Sequence, residues 1–149
     1  MVLATHSDSL LHNEPKGKTR EGDHVFLEED EPIPIWNGTI LTIYQVIKFV
    51  MSSAAEAELG AIFITEKELV PMRQTLIDIG WPHTPTTTQI ENSTAEGVAN
   101  KTIIARKTKS MDLIFHWLIF REAQQQFRFY WATGSKNWAD YSTKYHPPI

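Results

Sequence analysis

The segment from Ser52 to Ala61, in the first half of the chain, reads SSAAEAELGA and gives the clearest indication of the fold. Alanine, glutamate and leucine are strong helix formers, and Ser53 followed three residues later by Glu56 fits a helix capping box. The segment therefore predicts the start of a helix. Glu56 and Glu58 lie two positions apart, so on a helix their side chains point about 200° apart and only one can serve a shared site.

The helical pattern that starts here continues to about Ile79, where Gly80-Trp81-Pro82 predicts its end. Pro71 lies inside this pattern. Because proline lacks a backbone N–H and clashes with the preceding turn, it predicts a kink or a division of the helix into two.

Strands are predicted before this helix. The apolar run Met1–Ala4 ends at His6-Ser7-Asp8 and predicts a strand whose end carries Asp8. A turn with Pro15 and Gly17 follows, and residues 24–27 and 39–50 are rich in strand-forming side chains.

After the long helix, strands and helices alternate. The predicted elements are a strand over 88–90 ending at Glu91, a short helix from Ala95 to Asn100 opened by Ser93-Thr94, a helix over 112–124, a strand over 127–131 and a last helix over 137–145. Strands that come first as a meander and then alternate with helices predict an α/β fold, in which helices flank a mixed sheet.

Length and composition exclude several classes of protein. The chain has 149 residues, which suits one domain, and no cysteine, which excludes disulfides, thiol nucleophiles and cysteine-ligated metals. There are 14 Lys and Arg against 18 Asp and Glu, so nucleic-acid affinity requires a local basic patch. We find neither a signal peptide nor an apolar run of about 18 residues, and therefore expect an intracellular protein with no membrane partner.

Four carboxylates stand at suggestive places in the predicted elements. Asp8 and Glu91 end strands, Glu58 lies in the first turns of the long helix, and Asp140 lies in the last helix. Hydrolysis of a phosphodiester by two divalent ions about 3.5–4 Å apart requires such a cluster, and carboxylate oxygens suit Mg²⁺ and Mn²⁺. Spacing alone leaves a second interpretation open, in which these residues are solvated caps and turns.

Four segments together resemble the RNase H domains of copia-type (Ty/copia) retrotransposon polyproteins. Ser52–Ala61 is similar to the Ser-Ser-x-(x)-Glu-Ala-Glu-Tyr-x-Ala segment of that family, and His6-Ser7-Asp8 to its first-strand aspartate. Residues 90–95 resemble its Asp-Asn-x-x-Ala, and residues 137–144 its Ala-Asp-x-x-Thr-Lys. The segments occur in the family's order and extend from about residue 3 to residue 146.

The resemblance implies an RNase H-like domain over residues 1–146, followed by a short tail over 147–149. Its fold would be a five-stranded mixed sheet flanked by helices, with the first three strands antiparallel. Its activity would be hydrolysis of the RNA strand of RNA–DNA hybrids with two Mg²⁺ or Mn²⁺ ions. The implied catalytic and metal-binding residues are Asp8, Glu58, Glu91 and Asp140, which leaves Glu56 as the capping partner.

The chain departs from the family at Glu91, where the family has aspartate. Glutamate carries one more methylene group, so its oxygens overshoot unless the backbone retreats. A misplacement of about 1 Å can cost about 10²-fold in rate. We therefore expect weakened catalysis.

Hybrid binding is assigned to two groups of residues. The candidate phosphate contacts are the basic residues Lys101, Arg106, Lys107 and Lys109, and the candidate hydrogen-bond donors near the metals are Asn92, Ser93 and Thr94. The loop over 16–20 is a further basic candidate. For the basic residues the alternative is a solvated loop, and for Asn92, Ser93 and Thr94 it is helix capping. Of the tryptophans that could stack on the substrate, Trp117 and Trp131 are expected to pack in the core instead.

Two alternatives to an active nuclease remain. One is a catalytically inactive RNase H-like remnant that binds nucleic acid or other parts of a retroelement polyprotein. The other is an unrelated α/β protein with chance matches, which predicts that the first strand does not neighbour the strand ending at Glu91.

Overall fold

The computed structural model describes residues 2–29, 36–48, 50–81, 83–103 and 111–144, with only the backbone of Trp36 and Asn37. The predicted domain end at residue 146 and the tail over 147–149 lie outside these ranges. The elements are β1 (Val2–Glu14), β2 (Lys18–Glu28), β3 (Trp36–Val46), α1 (Ala54–Asp78), β4 (Thr86–Ile90), α2 (Ser93–Ala99), α3 (Asp112–Ala123), β5 (Phe127–Trp131) and α4 (Ala139–Thr143). Short 3₁₀ turns span Pro15–Gly17 and Gly134–Lys136.

The strands form one five-stranded mixed sheet in the order β3-β2-β1-β4-β5. The first three strands are antiparallel, and β4 and β5 run parallel to β1. The predicted mixed sheet is therefore confirmed. The alternative of an unrelated protein with chance motif matches predicts that β1 does not neighbour β4. That expectation is wrong, because β1 pairs directly with β4 through Ala4↔Thr87 and His6↔Gln89.

The first two strands are much longer than predicted. They form a hairpin whose register runs from Val2↔Glu28 to Glu14↔Lys18. The prediction that Asp8 ends its strand is therefore wrong, since β1 continues for six residues beyond it. The polar residues of this extension resemble a loop in sequence, but backbone pairing between antiparallel strands does not require apolar side chains. Asp8 lies instead just past the last residue of β1 that pairs with β4.

The long helix α1 is continuous through Pro71, so of the two predicted alternatives, a kink or a division, the division is excluded. Because Pro71 has no N–H group, the Lys67 carbonyl four residues earlier loses its helical hydrogen bond. Pro71 and Lys67 are both exposed, so water can solvate that carbonyl. The predicted cap is confirmed in part. Ser53 Oγ accepts a hydrogen bond from the Glu56 N–H (3.2 Å), but the Glu56 carboxylate binds Ser52 rather than Ser53.

The hydrophobic core lies between one face of the sheet and the helices α1, α2 and α3. It contains Leu3, Val25, Leu59, Ile62 and Phe127, each about 1% exposed or less. Burial of such side chains stabilises a fold by about 1.5–3 kcal/mol each. Within the described part of the chain, none of the helices has the length and apolar character needed to cross a membrane.

Among the described residues, the opposite face of the sheet is covered only in part, by α4. A Cβ atom at Gly22 would lie 2.6 Å from Ser142 Oγ and 2.9 Å from Thr143 Cγ2, so glycine is required for α4 to approach β2 this closely. Side chains alternate between faces along a strand. Asp8, which pairs with Gly22, therefore faces α4, while its neighbour Ser7 faces α1.

Candidate active site

Three of the four predicted carboxylates meet where β4 ends beside β1. Asp8, Glu91 and Asp140 each offer an oxygen atom, and these three oxygens lie within 4.8 Å of one another. Asp8 comes from β1, Glu91 follows β4 directly, and Asp140 lies in the first turn of α4. We refer to Asp8, Glu91 and Asp140 as the carboxylate trio.

The fourth predicted carboxylate, Glu58, lies next to the trio but binds the protein backbone. Its side chain is 5% exposed. Oε1 accepts a hydrogen bond from the Glu91 N–H (2.6 Å), and Oε2 accepts one from the Asn92 N–H (3.0 Å). Glu58 therefore fixes the turn that carries Glu91. The Glu56 carboxylate, in contrast, accepts a hydrogen bond from the Ser52 hydroxyl at the start of α1.

The helix α4 is held against β1 by polar contacts around the trio. The Thr143 hydroxyl donates a hydrogen bond to Asp8 Oδ2, and Lys144 Nζ donates one to Asp140 Oδ2 (2.5 Å). Next to this contact, the Asn137 side chain donates to the Ser7 carbonyl (2.8 Å), and the Trp138 N–H donates to His6 Nδ1 (3.2 Å). These contacts explain how a helix of five residues brings Asp140 to β1.

Burial, and then the charges of neighbouring acidic groups, perturb the titration of the carboxylates at this site. Burial raises the pKa of Glu58 to about 7, and the neighbouring charges of Asp8 and Glu91 act in the same direction. Burial, followed by the charges of Asp8 and Asp140, raises the pKa of Glu91 to about 7. Burial and the Asp140 charge also raise the pKa of Asp8, against the hydrogen bond from Thr143. Ionisation of these carboxyl groups is therefore unfavourable without a positive charge nearby, and a bound cation would stabilise their ionised form.

The donor set fits a divalent metal ion. The trio offers only carboxylate oxygens, which suit Mg²⁺ and Mn²⁺. Glu91 Oε1 is buried and makes no well-formed hydrogen bond within the described residues, although the Asn137 side chain lies near enough to lower the pKa of Glu91. A buried carboxylate oxygen without such a bond is costly, and a metal ion would satisfy it.

The predicted nucleic-acid contacts are only partly described. Asn92, and not Ser93, caps α2, because its side-chain oxygen accepts from the Thr94 N–H (2.9 Å) and the Ala95 N–H (3.1 Å). The short helix does begin at Ser93, as predicted, but its capping residue lies one position earlier. The side chains of Ser93, Thr94 and Lys101 are exposed near the two ends of α2. Arg106, Lys107 and Lys109 lie outside the described residues.

The basic segment over 16–20 differs from its prediction as a loop. Lys18 and Arg20 belong to β2, and only the 3₁₀ turn Pro15–Gly17 separates this strand from β1. Arg20 forms an ion pair with Glu14 and stacks over the Tyr44 ring at 5.1 Å. The guanidinium group of Arg20 is therefore already engaged by the protein.

The expectation for Trp131 is wrong, whereas that for Trp117 agrees with the structure. Trp117 packs against the core and meets the Phe63 ring edge to face at 5.2 Å. Trp131 is 51% exposed, and its indole N–H donates to the Glu91 carbonyl (2.7 Å). Alternation along β5 places Trp131 on the same face as Phe127 and Phe129, but the strand ends here, where the helices no longer cover it. Sequence periodicity does not reveal where that cover stops.

Comparison with solved structures identifies the fold. LC11-RNase H1, isolated from compost by a metagenomic approach, superimposes with a TM-score of 0.69 at 14% identity, covering 95% of this chain and 91% of that chain. The same protein in complex with an RNA/DNA hybrid gives a TM-score of 0.66 at 14% identity and covers 93% of this chain and 91% of that chain. Prototype foamy virus protease–reverse transcriptase gives a TM-score of 0.51 at 10% identity, covering 95% of this chain and 20% of that chain.

No protein-family model and no curated protein sequence matches the chain. The identities to the solved structures are low, so the likeness concerns the fold. The chain folds as an RNase H-like α/β domain, with a carboxylate trio beside its central strand β1 at the point where β4 ends.

Proposed function

We propose that this protein is a ribonuclease H, which hydrolyses the RNA strand of RNA–DNA hybrids with two divalent ions, Mg²⁺ or Mn²⁺. The observation that carries the proposal is the carboxylate trio on an RNase H-like sheet, in which a buried oxygen of Glu91 makes no well-formed hydrogen bond within the described residues. The structural neighbour that was solved with an RNA/DNA hybrid supports the choice of substrate.

Asp8, Glu91 and Asp140 would hold the metal ions, and Glu58 would complete the site from its position on α1. When bound, divalent ions activate a water molecule and stabilise both the attacking and the leaving oxygen of the phosphodiester. Glu58 holds the backbone that carries Glu91, through the N–H groups of Glu91 and Asn92. Thr143 orients Asp8 through its hydroxyl group, and the ammonium group of Lys144 partly offsets the negative charge at Asp140.

We further propose that the domain derives from a copia-type retrotransposon polyprotein. The four sequence segments support this origin. The match to one fifth of the foamy virus protease–reverse transcriptase supports a context in which such a domain belongs to a larger chain. Other parts of the same polyprotein are then candidate partners, besides the hybrid itself.

Comparing the natural chain with the Glu91→Asp variant tests both the chemistry and the departure from the family. Because the aspartate is shorter by one methylene group, we expect the variant to cleave a labelled hybrid about tenfold faster or more, within the ~10²-fold range that a 1 Å misplacement can cost. Equal rates would refute the claim that Glu91 weakens catalysis. Cleavage by neither protein, in either Mg²⁺ or Mn²⁺, would refute the proposed activity.

The second candidate function is binding of nucleic acid without cleavage. It is favoured by the engagement of both Glu58 oxygens with backbone N–H groups, which leaves Glu58 outside the trio. Such a module would bind the hybrid but would gain no thermal stability from Mg²⁺. Retained hybrid binding combined with an unchanged melting temperature would favour this candidate over the nuclease.

Trp131 is expected to contribute to hybrid binding, because its ring is exposed and its indole N–H holds it beside the trio by a hydrogen bond to the Glu91 carbonyl. Stacking of an aromatic ring on a base contributes about 1–3 kcal/mol. We therefore expect Trp131→Ala to weaken hybrid affinity about 5- to 100-fold. Fluorescence anisotropy in Ca²⁺ measures the hybrid affinity. The matched control is Trp81→Ala, since Trp81 is 44% exposed and lies beyond the end of α1. Equal losses in both variants would contradict the assignment.

A further inference from the structure

The Glu91 carboxylate lies directly against Gly134, the first residue of the 3₁₀ turn between β5 and α4. A Cβ atom at Gly134 would be 2.7 Å from Glu91 Oε2, 3.1 Å from Cδ and 3.2 Å from Oε1. Gly134 is not among the residues with positive φ, so its backbone conformation is open to alanine. Within the described residues, the need for glycine at this position is therefore one of space.

The turn that contains Gly134 is anchored and cannot easily retreat from Glu91. The Gly134 carbonyl accepts a hydrogen bond from the Asn137 N–H (3.0 Å). The Asn137 side chain is buried, with its NH₂ group donating to the Ser7 carbonyl and its oxygen accepting from the Ala139 N–H (2.9 Å). On the other side, Glu58 and Trp131 hold the backbone of Glu91. A methyl group at position 134 would therefore displace the carboxylate, which is the flexible end of a side chain.

We propose that Gly134 is a positioning residue, which provides the space in which the longer side chain of Glu91 turns its carboxylate into the trio. The inference rests on the proposed function, since it assumes that the trio binds a divalent ion. An aspartate at position 91 is one methylene group shorter and does not reach the added methyl group. Glycine at 134 and glutamate at 91 are therefore coupled, and the space at position 134 offsets only part of the overshoot of the longer side chain.

A double-mutant cycle tests the coupling, because neighbouring residues show non-additive effects and distant ones do not. The four proteins are the natural chain, Gly134→Ala, Glu91→Asp and the double variant, and the readouts are Mn²⁺ affinity by calorimetry and the melting temperature in EDTA. We expect Gly134→Ala to weaken Mn²⁺ binding about tenfold or more when residue 91 is Glu, within the ~10²-fold range for a 1 Å misplacement. In the Asp background, we expect a loss of less than about threefold.

Gly38→Ala is the matched control, because a Cβ atom there meets nothing within 4 Å and the change in backbone entropy is the same. We expect it to leave Mn²⁺ affinity unchanged. Equal losses from Gly134→Ala in both backgrounds would overturn the inference, as would no loss in either, while leaving the proposed function intact. Absence of Mn²⁺ binding in all four proteins would overturn the proposed function and this inference together.

Discussion

Saturating Mg²⁺ is expected to raise the melting temperature of the natural chain by about 5–10 °C and that of the Asp8→Asn variant by little or nothing. A ligand present at 100 times its Kd stabilises the folded state by about 2.7 kcal/mol, and each kcal/mol corresponds to about 2–4 °C for a domain of this size. Asp8 offers an oxygen within 4.8 Å of the other two members of the trio, so removal of its charge should abolish binding. Differential scanning fluorimetry measures the shift.

The same experiment in EDTA separates metal binding from folding. Asp8 carries a raised pKa because burial and the Asp140 charge oppose its ionisation, so Asp8→Asn should melt no lower than the natural chain without metal. Asp78→Asn, at an exposed position near the end of α1, is the control and should keep the full Mg²⁺ shift. An equal Mg²⁺ shift in the Asp8 variant would contradict the assignment of the trio.

The second large effect is expected at Asp23, which lies on the face of β2 opposite the trio. Asp23 is completely buried beneath α1, between the hydroxyl groups of Ser7 and Thr65. Neither carboxylate oxygen makes a well-formed hydrogen bond within the described residues. Burial raises the pKa of Asp23 to about 7, and the charge of Asp8 acts in the same direction.

The sign of the resulting pH dependence follows from linkage. Because the pKa is higher in the folded than in the unfolded state, the folded state binds more protons between about pH 4 and pH 7. The contribution of Asp23 to stability is therefore complete at low pH and is lost as the pH rises through the folded-state pKa, at about 1.4 kcal/mol per pH unit or less. At alkaline pH the protein carries a buried, ionised carboxylate.

Asp23→Asn removes this titration while keeping the shape of the side chain. Relative to the natural chain, we expect the variant to gain about 2 kcal/mol in its free energy of unfolding between pH 5 and pH 8. Urea denaturation at the two pH values in EDTA measures the gain. Glu21, whose raised pKa is due to burial and to the charge of Asp23, becomes easier to ionise in the variant and adds to the gain, whereas His6 titrates in both proteins. A difference that does not change between pH 5 and pH 8 would show that Asp23 has an ordinary pKa.

The parts of the fold that depend on local signals were predictable from the sequence. The helix start at Ser53, the end of β4 before Glu91 and the strand over 127–131 all agree with the structure. Each depends on a cap, a turn or a short apolar run that is complete within a few residues. The assignment of Glu58 rather than Glu56 to the site depended on the resemblance, because helix geometry alone shows only that the two cannot both serve.

Features that depend on contacts between distant segments were not predictable. The extension of β1 through polar residues depends on its pairing with β2, and the burial of Asp23 depends on the position of α1 above it. The exposure of Trp131 depends on where the covering helices end, and the space for the Glu91 carboxylate depends on Gly134, 43 residues later. Periodicity describes one element at a time and carries no information about these partners.

Strand-specific cleavage of an RNA–DNA hybrid is the direct test of the proposed ribonuclease H activity. A duplex with separately labelled RNA and DNA strands is incubated in Mg²⁺ with the natural chain and with Asp8→Asn. We expect the natural chain to cut only the RNA strand, and the variant, although folded, to be at least about 10²-fold slower. Undiminished cleavage by the Asp8 variant, or an intact RNA strand in the presence of the natural chain, would contradict the proposal.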